Sequence, residues 1–280
     1  MISLAQRFAL RTFGVALPGR AAQWFENMLL TPRPAGHGGV PTPRAAPERS
    51  RLPYGNGWLA LHAWGSGPTI LLVHGWGGAA GSMGAFVDPL VDAGFRVVAY
   101  DAPAHGGSDG VRTNLIECAG AALQVGRAFG RLHGILAHSF GAPTAALAMR
   151  HGLASPRSVF LGPPVSIIDL SMKLGTLLGL PRRVGVLMAE RLARRLRFEW
   201  QDLRTDRLVE RVDTPLLVVH DEDDRTVPWT HGAAIARAAP RGRLVTTRGL
   251  GHRGLLLDAD VIRRTTGFLA DAGDTERHPA

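Results

Sequence analysis

Ser139 is the residue with the clearest chemical prospects. It lies in AHSFG (137–141), directly after the apolar run GILAHS (134–139) and directly before the helical pattern APTAALAMRHG (142–152). A strand that turns sharply into a helix lifts a serine hydroxyl clear of a sheet, and the turn needs small neighbours. Ala137 and Gly141 supply them, although glycine is usual at the position of Ala137. Pro143 fits a first helical turn, where its missing N–H is not needed. A hydroxyl is a weak nucleophile until a base takes its proton. His252, in LGHRG just after the last predicted strand, is the candidate base, and HDEDDRTVP (220–228) offers Asp221, Glu222, Asp223 and Asp224 to orient its imidazole. Acyl transfer to water is the chemistry that such a set performs.

These residues need a scaffold, and the chain around them alternates apolar runs with helical patterns. The predicted strands are TILLVHG (69–75), FRVVAYD (95–101), GILAHS (134–139), SVFLG (158–162), PLLVVHD (215–221) and RLVTTR (243–248), with WLALHAW (58–64) at an antiparallel edge. Helical spacing marks 114–129, 142–152, 231–240 and 260–272. Alternation of this kind implies an α/β fold with a mainly parallel sheet covered on both faces. Residues 163–212 are too long for a simple connection. They read as a small helical cap, with segments at LSMKLGTLLGL, RRVGVLMAERLARRLRF and about 201–211.

The domain proper is expected at 54–280, preceded by a segment at 1–53. Residues 2–30 read as one or two helices, with Trp24 and Met28, and Phe25 and Leu29, at the spacing of one helical face. Leu4, Phe8 and Val15 fall on the same side as Arg7 and Arg11. Docking onto the body of the protein is preferred to binding at a membrane surface. Residues 31–53 are so rich in Pro and Gly that neither helix nor sheet is expected there.

A chain of 280 residues, 45% hydrophobic and 20% charged, suits one catalytic domain with appendages. The net charge is +9 and Lys173 is the only lysine. Such a balance favours anionic partners, but the arginines are dispersed with few aromatics between them, so nucleic acid is not an expected partner. Cys118 stands alone and reads as a buried helical thiol. No combination of the 11 histidines has zinc-ligand spacing, and no metal or organic cofactor is expected. Arg7 and Arg11 interrupt any secretory-signal pattern, no stretch has the length of a membrane span, and a soluble cytoplasmic protein is the expectation.

Four blocks in order, HGWGG (74–78), DAPAHGGSDG (101–110), AHSFG (137–141) and HDEDDRTVP with LGH, resemble the α/β-hydrolase superfamily in its capped, lipase- and esterase-like branch. The order serine, acid, histidine is also that of this family. The likeness runs from about Tyr54 to Ala270. It implies an oxyanion hole formed by the backbone N–H groups of Trp76 and Phe140, a bracing role for His74, and a structural role for the loop of His105 and Ser108. His138 would point away from the turn. In the family the acid lies three residues past a usual glycine and four before a proline, which selects Asp224, with Asp223 as runner-up.

The resemblance thus implies a serine hydrolase that cleaves a carboxylic ester, with thioesters, amides and lactones as related substrates. Serine rather than aspartate as nucleophile disfavours dehalogenase and epoxide hydrolase chemistry. A non-catalytic receptor or scaffold on the same fold is the alternative. Met172, Leu174, Leu177, Leu178, Leu187 and Met188 are expected to line an acyl pocket. The cap arginines 182, 183, 191, 194, 195 and 197 are expected to form a solvated surface.

Overall fold

Successive residues of a strand point to opposite faces of a sheet, so a strand buried on both sides must be apolar throughout. That pattern organises this protein, whose computed structural model describes residues 3–34 and 39–271. Leu71, Val73, Val98, Tyr100, Ile135 and Ala137 face one core. Their neighbours Ile70, Leu72, Val97, Ala99 and Leu136 face another on the opposite side. Both cores are closed by helices.

The strands are β1 (Glu48–Tyr54), β2 (Gly57–Trp64), β3 (Thr69–Val73), β4 (Arg96–Tyr100), β5 (Leu132–His138), β6 (Ser158–Leu161), β7 (Leu216–Asp221) and β8 (Gly242–Thr247). They form one eight-stranded sheet in the order β1-β2-β4-β3-β5-β6-β7-β8. From β4 to β8 all pairings are parallel. This is the α/β-hydrolase fold.

Two expectations fail at the antiparallel end. The Pro-rich segment was expected to hold no strand up to Pro53, yet β1 pairs with β2 along its length, and β1 rather than 58–64 is the edge. An edge strand tolerates Pro53 because one side needs no ladder hydrogen bonds. The two-residue turn at Gly55 and Asn56, with Gly55 at φ 56°, closes the hairpin.

On the first core lie α4 (Leu115–Ala128), α5 (Gly141–Arg150), α8 (Thr205–Val209) and α9 (Trp229–Ala238), with Cys118 buried in α4. The opposite face carries α3 (Val87–Asp92) and α11 (Ala259–Ala270), and the short α10 (Gly251–Gly254) follows β8. Between β6 and β7 the chain makes α6 (Ile167–Leu177) and α7 (Arg182–Leu196). The expected third cap helix over 201–211 is instead a 3-10 turn at Trp200–Leu203 followed by the five-residue α8.

The N-terminal segment forms two helices, α1 (Leu4–Ala16) and α2 (Pro18–Leu30), divided at Leu17 by the following proline. They pack on the cap. Ala21, Ala22 and Phe25 form a third core with Leu180, Val184 and Met188. Gly14 lets α1 approach Pro181 at the head of α7, where any Cβ would collide with the proline ring.

The cap arginines are correspondingly less free than expected. Arg191 Nε lies 3.6 Å from Oε2 of the buried Glu26 in α2, and Arg195 pairs with its other oxygen. Arg183 donates to the carbonyls of Gly14 and Val15 at the end of α1. Three of the six thus fasten the N-terminal helices to the cap, while Arg182 and Arg197 are exposed and Arg194 lies 3.9 Å from Glu190.

Candidate active site

Ser139 occupies the turn between β5 and α5 with a φ of 53°, in the left-handed region that a residue with a side chain enters at a cost of about 1–3 kcal/mol. The sheet holds it there. Its N–H donates to Leu161 O at 2.8 Å, and its carbonyl accepts from Ala142 N–H at 3.0 Å. Gly141 packs so closely on the carbonyl of Val73 that a Cβ at that position would overlap it.

His252 reaches Ser139 from α10. Its Nε2 lies 2.8 Å from Ser139 Oγ, and its Nδ1 lies 2.6 Å from Asp224 Oδ2. Asp224 also accepts backbone N–H bonds from Thr226 and Val227 at 2.8 and 2.9 Å, and its Oδ2 is 3.3 Å from His220 Nε2. Burial pushes the Asp224 carboxyl up, but the bonds from His220, His252 and Val227 outweigh it and hold the group well below the usual carboxylate range. An ionised Asp224 accepts a hydrogen bond from Nδ1–H and so keeps the proton on that nitrogen. Nε2 is then left as the acceptor facing the serine hydroxyl.

The neighbouring carboxylates divide other work. Asp223 accepts from Gly249 N–H at 3.0 Å, and Glu222 pairs with Arg248 at 2.8 Å. Asp221, expected to serve the turn or solvent, is buried and serves two turns at once. It accepts from the N–H groups of Gly251, Leu250 and Asp223 and from the Thr247 hydroxyl, at 2.8–3.1 Å. This ties the segment before His252 to the end of β7. The readable signal was an acidic residue closing an otherwise apolar strand.

His138 also differs from expectation. Its ring packs 4.9 Å from that of His252, and its Nε2–H donates to the His252 carbonyl at 3.2 Å. Burial, with the nearby His252, pushes His138 down to about 3. It therefore stays neutral and holds α10 in place.

The turn at 74–78 is braced by two more neutral histidines. His74 Nε2 accepts from Ala102 N–H at 3.0 Å while its Nδ1–H donates to Gly75 O at 2.8 Å; His105 Nε2 accepts from Gly77 N–H at 3.1 Å. Burial pushes His74 down to about 4 and also lowers His105. Ser108 donates to Asp101 O at 2.6 Å, so His105 and Ser108 both serve the shape of their loop. Trp76 and Phe140 sit edge to face, ring centres 5.0 Å apart, beside Ser139.

Above these residues opens a mainly apolar cavity of about 590 Å³. Its walls include Ile168, Leu174 and Leu177 of α6 and Met188, Leu192 and Leu196 of α7. The other cap residues expected in the lining do not reach it: Leu178 and Leu187 pack in the third core, and Met172 packs against Gly185. Leu29 and Leu30 of α2 complete the wall, a contribution that no local pattern announced. Among the described residues, no group of three or more His, Cys, Asp or Glu is arranged to hold a metal ion.

The family model described as the alpha/beta hydrolase family matches residues 70–265, and the chain belongs to that family. Similar solved structures include a bromoperoxidase from Bacillus anthracis, 16% identical with a TM-score of 0.65, covering 80% of this chain and 100% of that one. A serine hydrolase from Cycloclasticus zankles is 18% identical with a TM-score of 0.61, covering 81% of this chain and 99% of that one. A bacterial membrane phospholipase A is 18% identical with a TM-score of 0.62, covering 92% of each chain. At these identities the likeness is one of fold. No curated protein matches the chain at a significant level.

Proposed function

We propose that the protein is a serine hydrolase that cleaves carboxylic esters with an apolar acyl group. The observation that carries this reading is the unbroken hydrogen-bond chain from Asp224 through His252 to Ser139 at the floor of an apolar cavity. Ser139 Oγ attacks the ester carbonyl while His252 Nε2 takes its proton, and Asp224 stabilises the imidazolium. The negative oxygen of the tetrahedral intermediate is held by the N–H groups of Trp76 and Phe140. His252 returns the proton to the leaving alcohol, giving an acyl-enzyme, and then activates a water that releases the acid and restores Ser139.

The cavity lies within the roughly 300–1,000 Å³ of small-molecule sites, and its leucines favour a short-to-medium aliphatic acyl chain. A fluorophosphonate probe should label Ser139 rapidly and should not label Ser139→Ala. Activated p-nitrophenyl esters of graded chain length should then be turned over by the wild type alone. Absence of labelling in a folded wild-type chain would favour a non-catalytic receptor.

A further inference from the structure

Only one side of α1 is used by the fold. Leu10, Phe13 and Gly14 face the cap, whereas Leu4, Phe8 and Val15 are 84%, 72% and 57% exposed. Their helical spacing sets these three side chains in one outward stripe. Arg11 lies along the same side, the exposed Arg7 borders it where its backbone meets Gly179 of the cap, and α1 contains no acidic residue.

This stripe adjoins the cavity. Arg11 and Val15 share a surface groove with Lys173 and Arg182, and Lys173 with the exposed Leu174 and Leu177 belongs in turn to the rim of the cavity above Ser139. Among the described residues, none of Arg7, Arg11, Lys173 and Arg182 has a carboxylate partner within ion-pair distance. The surface therefore combines projecting apolar side chains with unneutralised cations and meets the apolar cavity at Lys173.

We propose that this face docks the protein on an anionic phospholipid bilayer, with the mouth of the cavity turned toward the lipid. The apolar stripe would enter the boundary between headgroups and acyl chains, and the cations would meet lipid phosphates. A second copy is a poorer occupant, since a self-complementary contact would set these cations against their equivalents. The docking does not require a catalytic cavity. Its consequence, uptake of an ester from the bilayer, rests on the hydrolase reading.

The test is sedimentation of the full chain with phosphatidylcholine vesicles, with and without phosphatidylglycerol. Wild type should bind the phosphatidylglycerol vesicles, and more weakly as salt rises. The double variant Leu4→Ser, Phe8→Ser should bind on the order of a hundredfold more weakly. Arg7→Gln with Arg11→Gln should lose roughly 25-fold, at about fivefold per charge. Both pairs should keep the wild-type circular dichroism spectrum and turnover of a soluble short-chain ester. Vesicle binding by a chain that hydrolyses no ester would sink the hydrolase reading and support this one. Failure of wild type to bind, equal binding to both vesicle types, or unaltered binding by folded variants would overturn it. So would a dimer that dissociates in the Leu4, Phe8 variant while neither chain binds vesicles, which would assign the face to a second copy.

Discussion

At the scale of residues, four consecutive carboxyl side chains each have different partners, and substitution of three of them should separate their roles. Asp224 alone touches the His252 imidazole. Asp224→Asn should leave the fold intact and lower turnover of p-nitrophenyl esters by on the order of a thousandfold or more, because the amide favours the wrong tautomer. Asp223→Asn removes one exposed loop bond and should cost less than about tenfold in kcat. Asp221→Asn should lower both the melting temperature and kcat, since four donors lose a charged acceptor and the His252 segment loosens. Matched kinetics and melting curves for the three variants check this ranking. Equal activity of Asp224→Asn and wild type would remove Asp224 from the machinery. Sequence alone could bring Ser139, His252 and the acidic loop together because each follows a predicted strand, and strand ends converge at one edge of a parallel sheet. It could not reveal that the buried Asp221 collects backbone donors or that His138 holds the His252 carbonyl, since both depend on packing between distant segments.

Elements show a similar division. The parallel strands were legible because burial on both faces demands uninterrupted apolar runs, as in TILLV and LLVV. β1 was hidden, because a solvated edge strand needs no such run and Pro53 together with the prolines before it suggested a linker; the Gly55 and Asn56 turn was its readable trace. The N-terminal helices were visible by their periodicity, but not their destination on α7. That destination gives α2 a functional consequence, for it supplies Leu29 and Leu30 to the cavity wall while Phe25 anchors it. Phe25→Ala should destabilise the protein by about 3 kcal/mol and flatten the preference among acyl chain lengths while Ser139 remains reactive to fluorophosphonate. Unchanged selectivity in a destabilised variant would show that the α2 wall does not shape specificity. A denaturant titration with an ester series makes both measurements.

The whole molecule carries a further signature in its buried histidines. Burial pushes His74 down to about 4 and His138 to about 3, while the same groups in an unfolded chain titrate near 6.5. Between those values the unfolded state binds protons that the folded state refuses, so stability rises with pH through this window. The protein should be at full strength above about pH 6.5 and weaken steadily as pH falls toward 4, with an uptake of at least about two protons on unfolding. Urea midpoints measured from pH 7.5 to 4.5 test this, and a flat profile would mean that these histidines are not held neutral.

The seating of α2 on α7 also sets an order of events during synthesis. The N-terminal helices leave the ribosome before the sheet, yet Leu180, Val184 and Met188, together with the arginines that grip Glu26, emerge only after most of the sheet has been made. Through that interval Phe25 and its neighbours have no partner of their own, and the hairpin must wait as an exposed apolar surface, open to chaperones, until the cap arrives to cover it.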